Sequence, residues 1–203
     1  MSHYRFNPQN SFLAQLYWDS TGATRTSFTS SEVPRIGAVR DRTAPWASEG
    51  WLHADVDDFT DRRAPDYVIS RRKFLTQFWF GCYETDGQHD YEIRAAGVDD
   101  GHHHWVYANH RLDVSRNGYL GVYPTADEPG HDVLIAGSMV WRLEGFPTDG
   151  IASDKAYGPV QLVSLHGKSI KRLEEDGFPY LNENDGEAGW LLLNILKVGV
   201  ARP

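Results

Sequence analysis

Apolar positions along this chain alternate with polar ones far more often than they recur at helical spacing. A period of two is the mark of a strand that buries one face. Two runs, Phe12-Leu13-Ala14-Gln15-Leu16-Tyr17-Trp18 and Lys73-Phe74-Leu75-Thr76-Gln77-Phe78-Trp79-Phe80, are bounded by Gly, Asp and Ser and read as strands. Further strand candidates lie at 50–56, 66–71, 90–96, 103–108, 132–144, 159–165 and 189–198, with turn signals at Asp86-Gly87, Asp149-Gly150 and Asp185-Gly186. The clearest hairpin runs from Leu112 to Tyr123 and folds back at Asn117-Gly118, a pair that accepts positive φ at both central positions of a type I′ turn. The charged stretch from Lys168 to Gly177 admits two readings. One is a short helix stopped by Gly177, with Ile170 and Leu173 on one face; the other is a charged hairpin. The weakly patterned stretch 29–49 reads as a long surface excursion. No linker or low-complexity tract divides residues 1–203, which are expected to form a single β-rich domain.

Comparing the chain with itself adds a faint repeat. Phe12-Leu13-x-Gln15-Leu16-Tyr17-Trp18 recurs as Phe74-Leu75-x-Gln77-Phe78-Trp79-Phe80, and the same step carries Trp79 onto Trp141. The later two copies run on to Thr85-Asp86-Gly87 and Thr148-Asp149-Gly150. Aromatic strand starts follow the three copies at Gly50-Trp51, His104-Trp105 and Gly189-Trp190. Hairpin units that cannot cover their own apolar faces are expected to close around a common axis, which also protects their edges. The fold class expected is therefore all-β: a β-trefoil-like single domain of short hairpins with one short helix, or another closed β-barrel or a β-sandwich.

The stretch Val106-Tyr107-Ala108-Asn109-His110-Arg111-Leu112-Asp113-Val114-Ser115-Arg116-Asn117-Gly118-Tyr119-Leu120 resembles one repeat of the β-trefoil proteins of the ricin-B and fascin-like kind. A second such stretch is Val163-Ser164-Leu165-His166-Gly167-Lys168-Ser169-Ile170, followed by Tyr180-Leu181 and Trp190-Leu191-Leu192. The resemblance implies a trefoil body and a lectin-type function. The chain departs from the ricin-B pattern in carrying a single Gln-x-Trp, Gln77-Phe78-Trp79, outside both stretches.

Charge narrows the partners. Twenty Lys plus Arg against twenty-eight Asp plus Glu leave a net charge of −8. That balance argues against binding nucleic acid or a membrane surface through general phosphate neutralisation, and it suits steering toward a basic protein partner. The single cysteine, Cys82, sits among Phe78, Trp79, Phe80 and Tyr83 and is expected to be a small buried residue. The N-terminus lacks a signal-peptide pattern, and no apolar run approaches a membrane span. The expected location is cytoplasmic, or secreted without a classical signal peptide.

Two clusters invite a chemical reading. In Gly101-His102-His103-His104-Trp105, an extended backbone puts His102 and His104 on one face, where two imidazoles suit a divalent transition metal if a third ligand such as His131 joins them. His102, His104 and Pro129-Gly130-His131 loosely resemble the cupin metal motifs, although Ala108-Asn109 stand where a cupin carries Glu. The other reading of these histidines is a polar loop entering a strand. The acidic run Asp55, Asp57, Asp58 and Asp61 lacks the Gly turn and distal Glu of a calcium loop and reads as solvated. No Gly-x-Ser-x-Gly elbow, Walker A loop, Gly-x-Gly-x-x-Gly or His-Glu-x-x-His is present, so the common hydrolase, P-loop and dinucleotide chemistries lose support.

Seven Trp, ten Tyr and nine Phe supply the remaining handle. Exposed rings flanked by Asp and Asn suit a glycan or other small polar ligand, because sugar C–H faces stack on aromatic rings while the hydroxyls find fixed partners. The leading expectation is a non-enzymatic carbohydrate-binding protein without a cofactor, its ligand held by Trp51, Asp57, Trp105, Asn109 and Asn184. The alternatives are a metal-dependent enzyme on a cupin-like barrel, using His102, His104 and His131, and an acidic inhibitor or immunity-type protein.

Overall fold

A computed structural model describes residues 4–24, 33–41, 50–55, 59–64, 67–74, 76–98, 107–126, 128–130 and 139–203. Its elements are strands: β1 Arg5–Asp19, β2 Arg35–Asp41, β3 Gly50–Asp55, β4 Phe59–Ala64, β5 Tyr67–Phe74, β6 Thr76–Thr85, β7 Gln88–Val98 and β8 Arg111–Val114. There follow β9 Leu120–Tyr123, β10 Arg142–Glu144, β11 Lys155–Val163, β12 Lys171–Glu175, β13 Phe178–Asn182, β14 Glu187–Ala188 and β15 Trp190–Val198. Among the described residues there is no helix, so the fold is all-β.

Seven strands close an antiparallel barrel in the order β1-β6-β7-β8-β9-β3-β2, with β2 returning to β1 through Tyr17 and Arg35. Closure relies on β2, which lies inside the stretch expected to be a surface excursion. For the described residues 33–41 of that stretch the expectation is corrected. Ile36 and Ala38 are fully buried, and β2 pairs with β3 on one edge and with β1 and β5 on the other. Pro34 and the charges around it weaken the hydrophobic signal, but two buried side chains at alternate positions suffice for a strand with one inward face. Where β5 hands over to β6, the Thr76 hydroxyl accepts the Ala38 N–H at 3.0 Å, a side-chain tie to a backbone donor in the barrel wall.

Strand β1 carries the inner face with the expected alternation: Phe12, Ala14, Leu16 and Trp18 are buried in the main core. Burying a side chain such as Phe12 or Leu16 contributes about 1.5–3 kcal/mol, so slipping this strand by one residue is prohibitive. Phe12 stacks on Phe80 at 4.7 Å and meets Tyr91 and Phe146 at 5.7 and 5.2 Å. From β1 the sheet also continues outward through β15, β11 and β10. It returns to β7 by paired backbone hydrogen bonds of 2.7 and 2.8 Å between Tyr91 and Trp141.

The turns follow their Asp-Gly chemistry. Asp86-Gly87 and Asp176-Gly177 both take positive φ at both positions (51° and 77°, 52° and 75°) and join β6 to β7 and β12 to β13 as two-residue hairpins. The stretch 168–177 is therefore the charged hairpin and not the helix. Ile170 is buried in the core while Leu173 pairs with Tyr180, so they do not share a helical stripe. The β8–β9 hairpin forms where expected but with a longer turn: only Gly118 is left-handed (φ 87°), and Gly118 N–H bonds Ser115 O at 2.9 Å. Ser115 pairs across to Tyr119, giving a three-residue loop in place of type I′.

The step relating the aromatic runs does not make their members equivalent. Tyr17 packs with Val33 and Leu192 outside the main core. Trp79 lies on the outer face of β6, across Gly81, where a Cβ would come within 2.1 Å of its ring. Its indole N–H donates to Val200 O at 2.7 Å. Trp141 is inside the core, its indole N–H on Leu112 O at 3.3 Å.

Candidate functional site

The alternation of β3 sends Leu52 and Ala54 into the core and leaves Trp51 and His53 on the opposite face. Register then assembles an aromatic row on the outside of the barrel. His53 pairs with Tyr180 of β13, Trp51 pairs with Gly121 of β9, and Tyr119 bridges to Asn182. The rings of Trp51 and Tyr119 meet edge to face at 5.5 Å and 82°, those of Tyr119 and Tyr180 at 5.2 Å and 80°. His53 closes the row against Tyr180 at 4.6 Å, buried beneath it. Trp51, Tyr119 and Tyr180 are half-buried, so each ring keeps part of its surface in solvent. Edge-to-face contacts fix the ring angles without covering the faces.

Polar groups line one side of this row. The Tyr119 hydroxyl donates a short hydrogen bond to the exposed Glu175 carboxylate. That bond, and to a lesser degree burial, pushes the Tyr119 phenol up to about 12 from its ordinary 10.0. Beyond the Gly118 turn, the Asn182 side chain organises the following loop: its Oδ1 accepts the N–H groups of Asn184 and Asp185 at 2.7 and 3.1 Å. Asn184 is exposed, and its carboxamide oxygen and carbonyl accept from the Lys168 and Lys171 ammoniums at 2.5 and 2.8 Å. A Cβ at position 118 would fall 2.3 Å from Asn184 Nδ2, so a glycine is needed there both for φ and for this approach. The buried Glu183 accepts from His166 Nδ1 at 3.1 Å. The result is an aromatic surface edged by carboxylate, amide and ammonium groups.

Of the residues expected to hold a ligand, Trp51 and Asn184 belong to this face, at opposite ends of the Gly118-Tyr119 corner. Asn109 does not; it lines a separate cleft with Glu128 and Arg202. Asp57 and Trp105 lie outside the described residues, as do His102, His104 and His131 of the metal reading. Among the described residues no group of three His, Cys, Asp or Glu side chains stands where it would hold a metal ion. Burial pushes the Cys82 thiol up to about 12, which leaves no thiolate for nucleophilic chemistry at neutral pH. Tyr119, Tyr180 and Glu175 were not among the expected site residues. Their signal was Asp176-Gly177: once that pair is taken as a two-residue hairpin, Glu175 and Phe178 are paired and Tyr180 falls on the face of Leu173.

Comparison of the chain with protein-family models, with curated proteins and with solved structures finds no match to any of the three.

Proposed function

We propose that this protein is a non-enzymatic carbohydrate-binding module whose ligand lies on the Trp51–Tyr119–Tyr180 face. The observation that carries this reading is the half-exposed edge-to-face row of rings beside the Tyr119–Glu175 pair and the amide-rich loop at 182–186. A pyranose offers an apolar face of C–H groups and a rim of hydroxyls. The rings suit the first by stacking, and Glu175, Asn184 and Lys171 suit the second by accepting and donating hydrogen bonds. The rings are held by β-strand register, so little ordering cost remains to be met on binding. A threefold arrangement of equivalent sites is not required.

The test is a glycan array followed by tryptophan-fluorescence titration of each hit. We expect a neutral or hydroxyl-rich saccharide to perturb Trp51 and to lose about tenfold in affinity in Tyr180→Ala, equivalent to about 1.4 kcal/mol. Circular dichroism checks that the variant keeps its strands. An array blank across saccharide classes overturns the reading, and so does a hit whose affinity is indifferent to Tyr180→Ala and Tyr119→Ala.

A further inference from the structure

A cleft of about 350 Å³ shares no residue with the aromatic face and lies at the small end of the range of about 300–1,000 Å³ occupied by ligand pockets. Its accessible apolar lining is small, made of Ala96, Ala108 and Pro129, while Ala95 at its base is fully buried in the core. Two opposite charges, Glu128 and Arg202, line it, and both are exposed. Neither forms an ion pair or a side-chain hydrogen bond among the described residues.

The remaining polar group, Asn109, is held from beneath. Its backbone sits in the left-handed region (φ 64°), and its N–H donates to Ala95 O at 2.8 Å. Its side-chain Oδ1 and its carbonyl both accept from Arg94 Nη1, at 3.2 and 3.4 Å. Arg94 is fully buried and is itself anchored on Glu92, with Nε 2.7 Å from Oε1. Glu92 in turn accepts the Tyr83 hydroxyl at 3.3 Å. With Oδ1 oriented by Arg94, the two N–H donors on Nδ2 are the part of the Asn109 carboxamide that no protein group engages among the described residues.

We infer that this cleft is a binding site for a free α-amino acid with a small aliphatic side chain. A guanidinium and a carboxamide N–H together match a carboxylate, for which Arg offers a two-pronged donor. The Glu128 carboxylate matches the α-ammonium, and the alanine and proline walls match a methyl or isopropyl group. The buried Tyr83–Glu92–Arg94 chain acts as a positioning network that fixes Asn109 before the ligand arrives. The inference does not depend on the sugar reading, since the two faces share no residue.

The test is a heteronuclear NMR titration of the ¹⁵N-labelled full chain with L-alanine and L-valine, and with N-acetyl-L-alanine and L-alaninamide as controls. We expect the free amino acids to shift the Ala95 and Ala108 amides and the Asn109 carboxamide, and each capped control to bind at least tenfold more weakly. Glu128→Gln and Arg202→Gln are each expected to weaken L-valine about tenfold, and because both positions are exposed the rest of the spectrum reports an intact fold. Absence of shifts at the cleft overturns the inference. Equal binding of the capped compounds, or binding that survives both substitutions, overturns it as well.

Discussion

Tyr119 is where a single side chain carries most information. Its hydroxyl is committed to Glu175, and the neutral phenol is the form this bond favours. Because the folded-state value is raised to about 12 above the ordinary 10.0, the stabilisation is complete below pH 10, and it is lost as the pH rises toward 12. Removing the carboxylate charge in Glu175→Gln is expected to bring one tyrosine back toward 10, with no effect on stability at neutral pH beyond the loss of one exposed hydrogen bond. Ultraviolet titration of the phenolate band checks this; a profile unchanged by the substitution would mean that Glu175 does not hold the hydroxyl. Tyr83 and Tyr91 are also raised, chiefly by burial, so the Tyr119 transition is read as the difference between the wild-type and Glu175→Gln profiles.

At the scale of elements, the handover from β5 to β6 decides whether the barrel closes. β5 runs along β2, β6 runs along β1, and the Thr76 hydroxyl stands at the fork to accept the Ala38 N–H. Both residues are fully buried. Thr76→Val keeps the shape and removes an acceptor from a buried backbone donor that water does not reach. The expected cost is about 1–3 kcal/mol in urea unfolding, with the slope unchanged. Amide exchange at Ala38 is expected to accelerate more than that at Leu16, which lies in β1 away from the fork. A neutral substitution would show that the Thr76–Ala38 bond adds nothing to the pairing of β2 with β1, β3 and β5.

Across the whole molecule, the barrel carries packed layers on both sides of its wall. Inside are the Phe12–Phe80–Tyr91 stack and Trp141; outside β6 and β7 lie Trp79, tied to Val200, and the Glu92–Arg94 pair, tied to Asn109. A buried ion pair specifies an arrangement more than it adds net stability, because desolvation offsets most of the attraction. Arg94→Met is therefore expected to cost about 3–5 kcal/mol by stranding Glu92, and adding Glu92→Leu is expected to recover most of it. Chemical denaturation of the two variants measures the difference. The double variant is nonetheless expected to lose the amino-acid response at the cleft, since Asn109 is no longer anchored from beneath. Retention of that response would separate the cleft from the network.

Local chemistry accounts for what could be read in advance. Phe12, Ala14, Leu16 and Trp18 alternate within one strand, so their shared face follows from backbone geometry alone. Asp86-Gly87 forms the tight turn its residue types favour. The alternation and the turn chemistry thus determined an all-β chain of hairpins. Three things depended on contacts between distant segments. The β2 strand was hidden in a polar stretch because only its neighbours β1, β3 and β5 reveal which of its residues are covered. Tyr119, Tyr180 and Glu175 converge through the register of three strands, and the separation of Tyr17, Trp79 and Trp141 onto different faces has the same origin. Pairing register is set by the total burial of both partners, a quantity that no single stretch of sequence contains.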